Sequence, residues 1–125
     1  MKRLLIIPAI IATLSFTAFA QAPTITTQPA VTTIAFTGLI NNSLSVRASA
    51  AGGQTLSYQW FSNTVNSNIG GTPIDGATSA RFTVPTNLTL GEHFFFSEVR
   101  STDGAIVRSN VAVVRVFDFD ECDLC

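Results

Sequence analysis

Leu56-Ser57-Tyr58-Gln59-Trp60-Phe61 holds the only Tyr and the only Trp of the chain, and its pattern decides the fold. Alternation places Leu56, Tyr58 and Trp60 on one face and Ser57, Gln59 and Phe61 on the other, as in a half-buried antiparallel strand. Upstream, Leu44, Val46 and Ala48 alternate with Ser45 and Arg47 between the turn formers Asn41-Asn42 and Gly52-Gly53. Further upstream, the Thr-rich stretch Pro23 to Thr33 carries Pro23 and Pro29. Proline lacks an N–H for the ladder, so an edge strand or lead-in is expected there.

Downstream, residues 62–76 are rich in Asn, Ser and Gly and predict a long loop with at most one short strand near Thr72 to Ile74. Ala80, Phe82 and Val84 form the next alternating face, stopped by Pro85. Glu92 to Arg100 places His93, Phe95, Ser97 and Val99 on one side, and Asp103-Gly104 predicts a hairpin into Ala105 to Phe117. In that last run, Ile106 and the valines 111, 113, 114 and 116 are apolar in both parities, which predicts a bulge or a change of exposed face.

No helical period of useful length follows residue 20. About seven short strands predict an all-β antiparallel sandwich, favoured over a small barrel because one Trp can fill the roughly 10 Å between two sheets. The expected core is Trp60, Tyr58, Val46, Phe82, Phe95 and Val99.

The ends read differently. Lys2 and Arg3, the apolar run Leu4 to Phe16 and the small residues of Ala18-Phe19-Ala20 have the form of a Sec-type signal peptide, residues 1–20, cleaved before Gln21. The remainder, about 105 residues, suffices for one core: a domain over residues 21–117 and an acidic C-x-x-C tail over 118–125 that is either an end or a cut from something longer. Without the leader the charge is about −3, with five Arg, no Lys, and half of the eight acids in that tail. No basic face suggests nucleic acid, and no second apolar run of membrane length exists.

In order and spacing, Pro23-x-Ile25-Thr26-x-Gln28-Pro29, Ser57-Tyr58-Gln59-Trp60-Phe61, the run Gly70 to Ser79, Phe82-Thr83-Val84-Pro85 and Gly91 before an aromatic strand resemble a bacterial immunoglobulin-like domain of secreted and cell-surface proteins. The resemblance spans residues 22–117. It implies that Val46 and Phe95 stand where antibody-type domains pair cysteines, so the sheets are pinned without a disulfide. It also implies that His93 occupies the tyrosine-corner position, bonding back to the Leu88 to Leu90 region.

Chemistry is sparse. His93 is the only His, and nothing marks a nucleophile or an orienting acid for it. Cys122-x-x-Cys125 can be a passive tail, a local or intermolecular disulfide, or half of a metal site; the passive reading is favoured, and neighbouring acids disfavour a thiolate. Asp118-x-Asp120 lacks the Gly and distal Glu of a Ca²⁺ loop. The sequons at Asn41 and Asn87 carry little weight without eukaryotic machinery. Ligand-contact candidates are Phe61, Phe94 and Phe96, on the strand faces opposite the core, together with the 62–76 loop; the alternative, which is favoured, packs Phe94 and Phe96 under a neighbouring strand or under that loop. The expectation is a non-enzymatic exported spacer or adhesion module with no cofactor and no metal. Its partners would be neighbouring domains, surface proteins or glycans, and the alternative is a carbohydrate- or protein-binding domain.

Overall fold

β-branched and aromatic runs punctuated by Gly, Pro and Asn leave the backbone little choice but short strands. A computed structural model describes residues 21–121, so the expected leader, Cys122 and Cys125 lie outside the described residues. In chain order the strands are β1 (Thr24–Thr27), β2 (Thr32–Phe36), β3 (Ser43–Ser45), β4 (Arg47–Ser49), β5 (Leu56–Asn63), β6 (Thr72–Pro73), β7 (Arg81–Thr83), β8 (Gly91–Ser101), β9 (Ile106–Arg108) and β10 (Ala112–Phe117), followed by a 3₁₀ turn, Phe119–Glu121.

One layer is a six-stranded sheet in the order β2-β10-β8-β5-β6, with β9 also paired to β8; the other is made by the pairs β1-β4 and β3-β7. The ten segments cover the seven expected runs, two of them broken, and β2 is an addition: Ile34, Ala35 and Phe36 lie beyond the lead-in expected over residues 23–33. β1 pairs antiparallel with β4; the chain then crosses at buried Pro29 to the other layer, where β2 runs parallel to β10. The single strand expected over residues 43–48 breaks at Val46, whose N–H donates to the Ala80 carbonyl (3.0 Å) and whose side chain is buried. The last run breaks at Ser109, and its two halves pair with different halves of β8. At that break the Ser97 N–H donates to Ser109 Oγ (2.8 Å) and the Ser109 N–H to the Ser97 carbonyl (2.8 Å). A side-chain oxygen thereby replaces a missing ladder acceptor, and the mixed parity of residues 106–116 is explained.

Between the layers, Trp60 is fully buried and stacks on Phe82 at 5.5 Å between ring centroids, while Phe82 tilts against Phe95 at 5.3 Å. Val46, Val99, Leu44, Val84 and Val114 complete that cluster, and Tyr58 packs at its margin, half-buried. The Trp60 indole N–H donates to the Ser79 carbonyl (2.8 Å), as a buried indole requires. The described residues include no cysteine, so it is packing that joins the two layers. The hairpin expected at Asp103-Gly104 joins β8 to β9. Gly104 has φ +91°, and the Ser101 hydroxyl and Ala105 N–H donate to Asp103, whose pKa these bonds lower from its ordinary value.

Candidate functional site

The outer face of the six-stranded sheet is where sequence placed exposed aromatics. Phe61 and Phe96 are cross-strand partners on β5 and β8, and their rings stack at 5.1 Å with planes 6° apart. Phe96 is nevertheless fully buried, so its ring is closed to a ligand approaching from solvent. The cover is the loop after β5. Gly71 lies so close that a Cβ there would come within 3.1 Å of the Phe96 ring. Arg108 of β9 completes the closure, its guanidinium carbon 5.3 Å from the centroid of each ring. That guanidinium also donates to Glu98 (3.1 Å) and to the carbonyl of Asn68 (2.8 Å), and Asn68 donates in turn to the Ser109 carbonyl (2.9 Å).

One side chain thus ties stack, sheet and loop together. We expect Arg108→Ala to destabilise the fold by about 1–3 kcal/mol, through the lost cation–π contact and the lost bonds to the Asn68 carbonyl and to Glu98, which keeps Arg100 alone as partner. Hydrogen exchange should show the effect concentrated at residues 67–71; unchanged protection there would show that Arg108 does not hold the loop.

Phe94, two residues earlier on the same face, has a different setting. It is half-buried and lines an open groove of about 610 Å³ at one end of the sandwich, with Ser62, Asn63, Thr72, Asn87 and His93 among its neighbours. Apart from His93, the lining contains no titratable side chain. Asn63 is occupied structurally, donating to the carbonyls of Ser67 (2.8 Å) and Ile69 (3.2 Å). His93 Nε2 lies 2.7 Å from the Thr89 carbonyl and donates to it, the corner bond expected from its position.

Of the ligand-contact candidates, the structure therefore leaves Phe94 beside a groove, Phe61 half-buried under Arg108 and Phe96 inaccessible. The expected core residues Trp60, Val46, Phe82, Phe95 and Val99 meet in one cluster. Among the described residues no group of three His, Cys, Asp or Glu side chains converges as a metal site, and no helix is long and apolar enough to cross a membrane. Sequence reasoning missed an aromatic cluster beside β2. Phe36 meets Phe117 at 6.4 Å and Phe119 edge-on at 6.2 Å, with Ile34 two residues away on the same strand face. These residues are isolated from one another in sequence, and only the parallel β2-β10 register unites Phe36 with Phe117.

The same arrangement recurs in solved structures. The solution structure of the PKD domain from human KIAA0319 superposes with a TM-score of 0.62 at 16% identity, over 89% of this chain and 95% of that one. The Clostridium thermocellum CbhA fibronectin(III)-like modules superpose at 0.53 with 11% identity, over 83% of this chain and 50% of that one. The fold is immunoglobulin-like. This chain spans half the length of the CbhA structure. No protein-family model matches it, and no curated protein does. At such identities the likeness extends to the immunoglobulin-like fold alone, and function has to be argued from the residues.

Proposed function

We propose that this chain is a non-enzymatic, exported immunoglobulin-like module that serves as a spacer or adhesion domain at a bacterial surface or in secreted material, joined to neighbouring domains or surface proteins. The observation that carries the reading is the use to which the polar side chains are put. His93 ties a corner to Thr89, Arg108 and Glu98 clamp a loop, and Ser109 mends a strand break. Each of these residues supports the backbone, and none is paired with an activating partner of the kind acid–base or nucleophilic catalysis needs. Export rests on the basic, apolar and small-residue order of residues 1–20.

Two measurements test it together. The protein should be recovered from the cell envelope or medium with Gln21 at its N-terminus; recovery from the cytoplasm with Met1 intact would remove export from the reading. Thiol-dependent reductase activity lost in Cys122→Ser would remove the non-enzymatic part.

A second reading is favoured by the groove beside Phe94. The half-buried Phe94 ring, beside the amide of Asn87 and the hydroxyls of Ser62, Thr64 and Thr72 in a groove that Ile74, Pro85 and Leu88 also line, is the chemistry that binds an uncharged glycan, the ring stacking on a sugar face while polar groups meet hydroxyls. On this reading a glycan array gives a signal with the parent that falls about tenfold or more in Phe94→Ala and Asn87→Ala. Silence of the parent across a broad panel of neutral glycans would leave the spacer reading alone.

A further inference from the structure

The edge of a sheet is a row of unpaired backbone donors and acceptors, and folded proteins defend it with short strands, proline, bulges or charge. The other edges of this sandwich are defended. β6 has two residues, one of them Pro73. β7 has three, with Arg81 donating to Ser43 Oγ (3.0 Å). β9, paired only with β8, also has three and ends in Arg108. β1 follows buried Pro23 and shifts register between Ile25 and Thr27. β2 has none of these devices: Thr32–Phe36 is five residues long, contains neither charge nor proline, and pairs with β10 in unbroken register.

Beside the end of this edge the outer surface is apolar. Phe117 and Phe119 remain 48% and 45% exposed and adjoin Phe36, while Ile34, 48% exposed, stands opposite Arg115, which is neutralised by Glu92 (3.0 Å); exposed apolar groups so gathered are of the kind that mark an interaction surface. Charge selects the partner. Asp118 and Asp120 follow β10 beyond Phe117, which is paired with Phe36 at the end of β2. Toward the start of β2 stands Arg47, in register with Thr27 at the end of β1, four residues of chain before Thr32. Among the described residues Arg47 is exposed and its guanidinium has no hydrogen-bond or ion-pair partner.

We propose that β2 is a self-association edge, pairing antiparallel with β2 of a second copy so that the two six-stranded sheets become continuous. A two-fold axis through Ile34 turns one copy end for end, setting the acidic end of each against the Arg47 end of the other. Because β2 is uncharged, no like charges face each other along the new ladder. The Ile34, Phe36, Phe117 and Phe119 surface comes to lie along the seam.

Sedimentation of the purified protein, with reductant present so that Cys122 and Cys125 do not cross-link copies, should show a concentration-dependent monomer–dimer equilibrium. Ile34→Lys adds a charge at an exposed edge position and should weaken the dimer about tenfold or more at an unchanged melting temperature. Arg47→Glu should weaken it as well, and rising salt should weaken the parent dimer. A parent that stays monomeric up to millimolar concentration overturns the proposal, as does a dimer indifferent to Ile34→Lys. A dimer indifferent to both Arg47→Glu and salt overturns its end-for-end arrangement.

Discussion

Trp60→Ala should lower the stability of this protein by about 3–5 kcal/mol, a large share of the 5–15 kcal/mol that a domain typically has. The indole is fully buried, stacks on Phe82 from the opposite layer and donates its N–H to the Ser79 carbonyl. Truncation therefore opens a cavity between the layers and leaves a carbonyl without its donor at once. Trp60→Phe separates the two effects. It keeps most of the apolar bulk and loses the hydrogen bond, and should cost about 1–3 kcal/mol. Urea unfolding followed by circular dichroism reads both variants without relying on the fluorophore that is removed. A Trp60→Ala midpoint indistinguishable from the parent would mean that the two layers are held together elsewhere.

Gly71→Ala is expected to be the second largest effect among single substitutions considered, at about 2–4 kcal/mol. Two costs combine there. Gly71 has φ +81°, which L side chains rarely adopt, and an added Cβ would stand 2.9 Å from the Ser62 carbonyl oxygen and 3.1 Å from the Phe96 ring. Backbone and a stacked ring must both give way. Gly70→Ala is the matched control: φ is +73° but nothing lies within 4 Å of the added carbon, so only the conformational cost of about 1–2 kcal/mol is expected. Equal losses in the two variants would show that Gly71 is required for its backbone conformation and not for the close approach that seals Phe96.

Local pattern encodes part of this fold and not the rest. The alternation of Leu56, Tyr58 and Trp60 located a core strand because period-two patterning is local and survives in any sheet that has one buried face. Asp103-Gly104 was legible for the same reason, since its partners lie within a few residues, whereas the backward bond of His93 followed only from the immunoglobulin-like resemblance. The cover over Phe96 was legible only as an alternative: alternation sets the face of its ring and the 62–76 loop is a named cover, but what seats that loop is Arg108, some 40 residues further on, which no local pattern records. The breaks at Val46 and Ser109 escaped detailed prediction because each is defined by a partner on another strand, Ala80 in one case and Ser97 in the other. The cluster of Phe36 with Phe117 exists only through pairing of the two ends of the chain.

That pairing gives the fold a direction in which it resists force. β2 lies near one end of the chain and β10 near the other, and they run parallel through five paired positions, from Thr32 with Val113 to Phe36 with Phe117. Tension that pulls the two ends apart draws β2 and β10 lengthwise past each other, so their hydrogen bonds are loaded together instead of being opened one by one as in a hairpin pulled from its open end. Stretched between residues 21 and 121, this domain should therefore hold, once β1 has come away from β4, until the whole β2-β10 ladder shears in an event governed by the unfolding barrier. For a link that has to stay extended under load, such a strand order matters more than the equilibrium stability of the fold.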